Sequence, residues 1–294
     1  MPRRRGFESV SDPDSTSQVR RLPTETAEVL EEVGDIIRPR LLACVAGLYP
    51  GGREHALDLV AARDVIAITR TQACIVHIAR PTEQAAVRSP SVADLLSAFT
   101  SPAKVVPLIN TSRARNSHEA LRMIQQGLTF LQRANIFARE PLIKLEIMDS
   151  ELNSITDEVL RCVVALPPDL RCRCIPYVAA DQGSVERVCD LGCPAVRIAA
   201  GRIGQRSGIV APQVIRAAIA CARRMPVILE GGLDSAADIE MCASLGAEAA
   251  LVNSAFPLSR DPRIKALELR QAADRAWRVS PARPRQEEQR VSQS

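Results

Sequence analysis

The sequence predicts an α/β fold, a single-domain (β/α)8 TIM barrel. Eight short apolar runs alternate with amphipathic helical stretches, which is typical of a parallel sheet. Several runs, such as Val227–Leu229, are continuously apolar, as expected for strands buried on both faces. The segment that carries this pattern is about the size of one closed barrel of ~250 residues. An open, doubly wound sheet is the alternative.

The alternation assigns sixteen elements along the chain. The predicted strands are Leu41–Ala46, Val65–Thr69, Lys104–Ile109, Ile143–Met148, Arg173–Val178, Ala195–Ala199, Val227–Glu230 and Ala249–Asn253. The predicted helices are Glu54–Ala62, Val92–Phe99, Ser117–Gln132, Ile155–Ala165, Ser184–Leu191, Pro212–Arg224, Ala236–Leu245 and Arg263–Ala276. Pro212 and Ser235 are residue types that favour the first positions of a helix. The apolar stretch Ala73–Ile78 has no assigned place in this pattern.

The two ends of the chain differ from the segment between them. Residues 1–26 are rich in Arg, Ser, Asp, Pro and Thr, and residues 280–294 are similarly polar, with little periodicity in either. Such segments cannot bury enough apolar surface to fold. We therefore expect a barrel over residues 27–279 between two disordered tails.

Composition excludes several function classes. Of the 294 residues 46% are hydrophobic but only 3% aromatic, so aliphatic side chains must fill the core. The net charge of +4 is mild, and there is no basic stripe with interleaved aromatics, so no nucleic-acid partner is expected. No apolar run reaches about 18 residues, and no apolar stretch follows the N-terminal arginines. We expect a cytoplasmic protein that does not bind a membrane.

Nine cysteines invite a disulfide or metal interpretation. Their odd number and the missing export signal argue against a disulfide framework. Cys172 and Cys174 share a face, as do Cys189 and Cys193, but neither pair has the two-residue spacing usual in zinc sites. We expect most of the cysteines to be small buried hydrophobes, and we expect no metal.

The most informative segment is the predicted strand around Lys144 and Glu146. Residues two apart on a strand point the same way, so these two charges project together while Ile143, Leu145 and Ile147 line the other side. Buried charges need a partner or a purpose. A poorly solvated lysine can be a nucleophile toward carbonyls, and a neighbouring carboxylate can move protons. A structural ion pair at a strand end is the alternative.

Barrel active sites form at the C-terminal ends of the strands. Candidate binding residues at these ends are Asn110, Tyr177, Asn253 and Ser254. Glu230 closes the apolar run Val227–Leu229, where it is either a general base or the partner of a neighbouring arginine or of Lys144.

Glycine-rich segments follow the sixth and seventh predicted strands. Glycine lets backbone amides approach an anion closely, and a helix beginning at Pro212 adds its N-terminal dipole. Barrels frequently bind phosphate near the last two strands. Tight turns also use glycine, so a turn is the alternative. The candidate phosphate-binding residues are Gly201, Arg202, Gly204, Gln205, Arg206, Gly231 and Gly232.

Several segments, in this order, resemble the bacterial thiazole synthases of thiamin biosynthesis, over about residues 39–278. They are Gly47-Leu48-Tyr49-Pro50, Pro107-Leu108-Ile109-Asn110-Thr111, Ile143-Lys144-Leu145-Glu146, Ile175-Pro176-Tyr177 and Ala249-Ala250-Leu251-Val252-Asn253-Ser254-Ala255. The resemblance implies that Lys144 forms an imine with a phosphorylated sugar and that Glu146 is an acid/base. It also implies a ubiquitin-like sulfur carrier with a C-terminal thiocarboxylate as partner, and a homo-oligomer. No metal or organic cofactor is expected, because the imine is the electron sink.

The chain departs from the family pattern at two places. Glu230-Gly231-Gly232-Leu233-Asp234 stands where the family has Asp-Ala-Gly-Ile-Gly, and Arg202, Gln205 and Arg206 replace smaller residues of its phosphate loop. Errors of about 1 Å in position are costly in catalysis, so the pocket is expected to be reshaped. The leading hypothesis is a synthase of a 2-thiosugar phosphate in specialised metabolism. The alternatives are a thiazole synthase acting on 1-deoxy-D-xylulose 5-phosphate and a non-catalytic barrel that binds a sulfur carrier.

Overall fold

The computed structural model describes residues 24–45, 58–77, 92–112 and 114–279, and it contains eight strands and ten α-helices in those ranges. The strands are β1 (Leu41–Ala43), β2 (Ala73–His77), β3 (Val106–Asn110), β4 (Leu142–Leu145), β5 (Cys174–Val178), β6 (Val196–Ala199), β7 (Val227–Glu230) and β8 (Ala249–Val252). The helices are α1 (Thr24–Ile37), α2 (Leu59–Thr69), α3 (Val92–Ser97), α4 (Ser117–Ala134), α5 (Thr156–Ala165), α6 (Pro168–Arg171), α7 (Gln182–Asp190), α8 (Pro212–Cys221), α9 (Ala236–Leu245) and α10 (Pro262–Val279).

All seven strand pairings are parallel, and the order around the sheet is β1-β8-β7-β6-β5-β4-β3-β2. The first strand pairs with the last, with Leu42 opposite Leu251. Between β1 and the segment before β2, the amide of Ala43 donates to the hydroxyl of Thr71 at 2.9 Å. The predicted (β/α)8 barrel is therefore confirmed, and the open sheet is not adopted.

One predicted strand is wrong. Val65–Thr69 forms the second half of α2, and the second strand is instead β2, in the stretch that the sequence pattern had left unassigned. The buried residues Ala62, Val65, Ile66 and Thr69 recur at helical spacing, and α2 packs against α10 and β1. Asp58 caps the helix at Ala61 N, and Arg70 ends it in a left-handed conformation. Tertiary burial thus overrides the β preference of the branched side chains.

The predicted helix Glu54–Ala62 is displaced, because α2 begins at Leu59; residues 54–57 lie outside the described ranges. The other predicted elements are present, with ends shifted by a few residues. Pro212 and Ser235 do begin helices, and Ser235 forms a capping box with Asp238. The sequence pattern did not predict α1, which begins at Thr24. The rest of the two predicted tails lies outside the described residues.

The core has two layers, which alternate along each strand. Outward-facing residues such as Ile143 and Val196 pack beneath the helices, whereas inward-facing residues such as Leu142 and Ile228 fill the barrel. Apolar residues of α1 belong to the inner cluster. Ion pairs from α1 to Arg139 and Arg173, which precede β4 and β5, place this helix across the N-terminal end of the barrel.

Six of the nine cysteines are buried, and all nine are free thiols. Burial raises the pKa of the Cys74 thiol to about 12, which keeps it protonated and unreactive. The prediction that most cysteines are small hydrophobes is confirmed. None of the helices within the described ranges is long and apolar enough to cross a bilayer.

Candidate active site

Two strands place a lysine and two carboxylates inside the barrel near its C-terminal end. Ile143 and Leu145 of β4 face the helices, so Lys144 and Glu146 face inward, as the strand period predicts. Glu230 is the last residue of β7 and also faces inward. All three side chains are buried, at 4%, 2% and 6% exposure.

The three charges are in direct contact. The Lys144 Nζ donates to Glu230 Oε1 at 3.1 Å, and it also pairs with Glu146 Oε1. Of the interpretations that the sequence left open for Glu230, this contact shows the partner of Lys144. Glu146 and Glu230 flank the same amine from two different strands.

Burial is the main cause that sets the charge state of Lys144. Desolvation, followed by the nearby positive charge of Arg197, lowers the pKa of Lys144 to about 8, and Glu230 opposes this shift. Burial alone would raise the pKa of Glu230, but the charges of Lys144 and Arg197 outweigh it, and the net pKa lies below the ordinary glutamate value. Lys144 is thus poised to lose a proton near neutral pH while Glu230 stays ionised.

Arg197 is the central residue that the sequence interpretation missed. It lies in the middle of β6, is 1% exposed, and donates from Nη1 to Glu146 Oε1 at 2.6 Å and to Glu230 Oε2. Its Nη2 and Nε donate to the carbonyls of Leu145 and Ile175 at 2.8 and 3.2 Å. The signal in the sequence was a single charge within an apolar strand, at a position that faces inward like Lys144 and Glu146.

Thr111 lies in a segment that resembles the family but was not among the residues predicted for the site. It is fully buried after β3, and its hydroxyl bonds both backbone groups of Glu146. Its own amide donates to the carbonyl of Lys144 at 3.3 Å. This threonine therefore fixes the end of β4, where both predicted catalytic residues lie.

The predicted binding residues of β3 and β5 adjoin this cluster. Asn110 is buried, pairs in register with Lys144, and accepts from the amide of Ser112 at 3.2 Å. The Tyr177 ring lies beneath Arg197, with 5.4 Å from the guanidinium carbon to the ring centroid. Burial, together with the charge of Glu230, raises the pKa of Tyr177, so its hydroxyl stays protonated.

The glycine-rich segments after β6 and β7 interlock. The amide of Gly208 donates to the carbonyl of Gly232 at 3.0 Å, and a Cβ on Gly201 would lie 2.3 Å from the carbonyl of Gly208. Gly231 and Gly232 both have positive φ angles, and a Cβ on Gly231 would lie 2.5 Å from the carbonyl of Gly201. The glycines are thus explained by backbone packing between the two segments as well as by any bound anion.

The two arginines of the segment after β6 are exposed, and Arg206 pairs with Asp234 of the segment after β7. Arg206 donates from Nε and Nη2 to the two carboxylate oxygens of Asp234 at 2.6 and 2.8 Å. Arg202 and Gln205 lie in the same exposed turn. The amides of Asp234 and Ser235, shortly after the predicted phosphate-binding residues Gly231 and Gly232, donate to Asp238.

The last predicted binding residues follow β8. Asn253 is exposed and Ser254 is half-buried at the C-terminal end of that strand. All fourteen residues predicted for the site lie in or directly after strands β3 to β8, at one end of the barrel. The buried charged cluster and the glycine-rich segments form two parts of that end.

The fold and this cluster define a class: a (β/α)8 barrel whose lysine is held between two carboxylates at the ends of its strands. A family model described as "Thiazole biosynthesis protein ThiG" matches residues 51–294. The chain belongs to this family, which confirms the resemblance seen in the sequence.

Individual relatives agree with this membership. The chain is 32% identical to a thiazole synthase of Shouchella clausii over 169 residues, which are 57% of this chain and 61% of that protein. It is 26% identical to one of Ectopseudomonas mendocina over 219 residues, covering 74% of this chain and 78% of that protein. The chain spans about three fifths of the length of the first curated relatives it matches.

A solved structure matches the fold. It is the crystal structure of the Amycolatopsis orientalis BexX/CysO complex, with a TM-score of 0.67 and 23% identity, covering 84% of this chain and 93% of that chain. At this level of identity the likeness shows the barrel fold.

Proposed function

We propose that this protein is a sulfur-transferring synthase in which Lys144 forms an imine with a phosphorylated sugar. The observation that carries the proposal is a buried amine, in contact with two carboxylates, whose pKa is lowered to about 8. At pH 7 roughly a tenth of such lysines are neutral, compared with fewer than about one in a thousand ordinary ones. The neutral amine is the form that attacks a carbonyl.

The proposed chemistry needs no oxidant. The Lys144 amine adds to the aldehyde carbon of the open sugar, and loss of water leaves an imine. A proton then leaves the neighbouring carbon and one is added to the former aldehyde carbon, so the carbonyl moves by one position. Glu146 and Glu230 contact the same amine and are the acid/base groups for these transfers. We propose no metal or cofactor, because the imine is the electron sink.

Sulfur enters at the new carbonyl carbon. We propose that it comes from the C-terminal thiocarboxylate of a ubiquitin-like carrier, whose sulfur attacks that carbon while the carbonyl oxygen leaves with the carrier as its carboxylate. The proton shifts then run in reverse, and hydrolysis of the imine frees Lys144 and releases a sugar in which a thiol replaces one hydroxyl. Family membership supports this donor. A protein of the same fold has been crystallised as a complex with CysO, which supports a protein partner at such a barrel. A homo-oligomer and a cytoplasmic location belong to the same proposal.

The proposed product is a 2-thiosugar phosphate made from an aldose phosphate. Glu230 reaches further than the aspartate of the family pattern, and Arg202 and Arg206 line the segment proposed to bind phosphate together with Gly201, Gly204, Gln205, Gly231 and Gly232. Asn110, Tyr177, Asn253 and Ser254 complete the proposed sugar-binding surface. A thiazole synthase acting on 1-deoxy-D-xylulose 5-phosphate is the second candidate, favoured by the names of the curated relatives.

Borohydride trapping tests the imine. The purified protein is mixed with glucose 6-phosphate or with 1-deoxy-D-xylulose 5-phosphate, reduced, and measured by intact and peptide mass. The chain has three lysines, Lys104, Lys144 and Lys265, so an adduct is readily assigned. We expect an adduct on Lys144 with glucose 6-phosphate that is absent in Lys144→Ala.

Lys104→Ala is the matched control, because Lys104 is exposed in a turn before β3, at the opposite end of the barrel. It should trap sugar as the wild type does. Adducts with deoxyxylulose phosphate alone would replace the thiosugar proposal with the thiazole one. If neither sugar gives an adduct on Lys144, the imine proposal fails and the non-catalytic barrel becomes the better account.

A further inference from the structure

Arg197 joins every charged group of the buried cluster. Its Nη1 contacts both Glu146 and Glu230, the same carboxylates that contact Lys144. The remaining guanidinium nitrogens donate to two main-chain carbonyls, and Tyr177 covers one face. The Arg197 side chain is only 2% exposed, and these five contacts fix the orientation of its guanidinium.

The charges in this cluster balance only with Arg197 present. Two carboxylates face two cations, and all four side chains are buried. An imine-forming lysine must give up its proton, which removes one of the cations. Two buried carboxylates without any cation would then be costly, and one of them would take up a proton. Arginine stays charged at all relevant pH values, so its charge remains when that of Lys144 is lost.

We infer that Arg197 is the positioning residue of this site: its guanidinium fixes Glu146 and Glu230 around Lys144 and keeps both carboxylates ionised while the lysine is neutral. This inference rests on the proposed imine chemistry. Arg197 contacts the two carboxylates that in turn contact the Lys144 amine. It acts through the two carboxylates and through its charge, which opposes the charged form of Lys144.

The groups that face Arg197 come from three neighbouring strands. They are Glu146 after β4, Tyr177 on β5 and Glu230 on β7, with Lys144 beyond the carboxylates. Cys44, at the end of β1, also acts on Lys144. Removing Arg197 takes away one of the two causes that lower the pKa of Lys144 and leaves only desolvation against the attraction of Glu230, so Lys144 should hold its proton to higher pH.

The test follows Lys144 without using any sugar. Reductive methylation with formaldehyde and a borane is measured at Lys144 by peptide mass from about pH 6 to pH 11, in wild type, Arg197→Met and Arg197→Lys. We expect a wild-type midpoint near 8. In Arg197→Met it should rise by at least about one unit, so that labelling at pH 7 falls tenfold or more and recovers at high pH.

Arg197→Lys separates charge from position. Lysine keeps the charge but cannot reproduce the planar fork, so the midpoint should stay within about half a unit while sugar trapping falls at every pH. A folded Arg197→Met protein with the wild-type midpoint overturns the inference. If Arg197→Met does not fold, Arg197→Lys provides the test. The inference is overturned if Arg197→Lys traps sugar as the wild type does, or if its Lys144 methylation midpoint rises by about one unit.

The two proposals can fail separately. A wild type that traps no sugar, but whose Lys144 methylation midpoint shifts in Arg197→Met, rejects the proposed function while the electrostatic role of Arg197 stands. If the wild type traps sugar on Lys144 but Arg197→Met leaves the methylation midpoint unchanged, the proposed function stands and the role of Arg197 is rejected.

Discussion

The hydroxyl of Thr111 hydrogen-bonds both backbone groups of Glu146. It accepts from the Glu146 amide at 2.8 Å and donates to the Glu146 carbonyl at 2.9 Å. The bonds join the end of β3 to the end of β4, one residue beyond Lys144. Since both residues are buried, no solvent is at hand to replace this hydroxyl.

Thr111→Val keeps the shape of the side chain but leaves these two backbone groups unsatisfied. Leaving a buried polar group without a partner costs about 1–3 kcal/mol, so the free energy of unfolding should fall by that order. Urea denaturation measures the change. Thr111→Ser retains the hydroxyl and should recover most of the loss; a valine variant as stable as the serine variant would show that the bonds contribute little.

The rate of imine trapping should follow the neutral fraction of Lys144. Because its pKa is lowered to about 8, the neutral form is scarce at pH 6 and dominant above pH 9. The rate should rise about tenfold per pH unit below 8 and level off above. The pKa of Glu230 lies below the ordinary value, so this carboxylate should add no step in that range. A rate that still rises past pH 10 would contradict the lowered pKa.

Gly231→Ala should be strongly destabilising. Its φ angle is +96°, and a Cβ there would lie 2.5 Å from the carbonyl of Gly201 and 3.0 Å from the hydroxyl of Tyr177. Gly192→Ala is the matched control, because Gly192 also has positive φ, +78°, but nothing within 4 Å of the added carbon.

The control should lose only the roughly 1–2 kcal/mol of a left-handed residue. Gly231→Ala should lose that amount and a further cost of overpacking of about 1–3 kcal/mol. Denaturation midpoints of the two variants give the difference. Equal losses would mean that the segments after β6 and β7 can separate without cost.

Substitution of Arg206 tests whether this side chain binds the phosphate of the sugar. Its guanidinium is held by both oxygens of Asp234 at an exposed site, where an ion pair contributes at most about 1 kcal/mol. Arg206→Ala and Asp234→Ala remove the same pair and should reduce stability equally and slightly.

Their effects on the sugar concentration needed for half-maximal trapping should differ if Arg206 binds the phosphate. We expect Arg206→Ala to raise that concentration about tenfold or more, as for a lost charged hydrogen bond, and Asp234→Ala to raise it less. Equal effects in the two variants would assign Arg206 to loop structure alone.

Much of the barrel could be predicted because its strands are short apolar runs whose side chains alternate between the two faces of the sheet. Val227–Leu229 and the inward pair Lys144 and Glu146 needed only the period of a strand. The same reasoning gave the wrong result for Val65–Thr69, since a run rich in β-branched residues also fits the buried face of a helix. Only the packing of α2 against α10 and β1 distinguishes the two.

The candidate site was predicted in outline, with its central cation missing. Lys144 and Glu146 stood out as a pair on one face, whereas Arg197 is a single charge within Val196–Ala199. Its importance lies in contacts to residues 51 and 33 positions away, which no local pattern reveals. The pairing of Arg206 with Asp234, 28 positions apart, was hidden for the same reason.

Helix α1 covers the N-terminal end of the barrel. Its apolar face belongs to the inner core cluster, and Arg139 and Arg173 fasten it by ion pairs with Asp35 and Glu32. Within the described ranges, α1 therefore covers one end of the barrel, and Lys144 and its two carboxylates lie toward the other end. If the proposed reaction takes place here, both reactants approach from that end, so the sugar must bind at Lys144 before the carrier protein covers it.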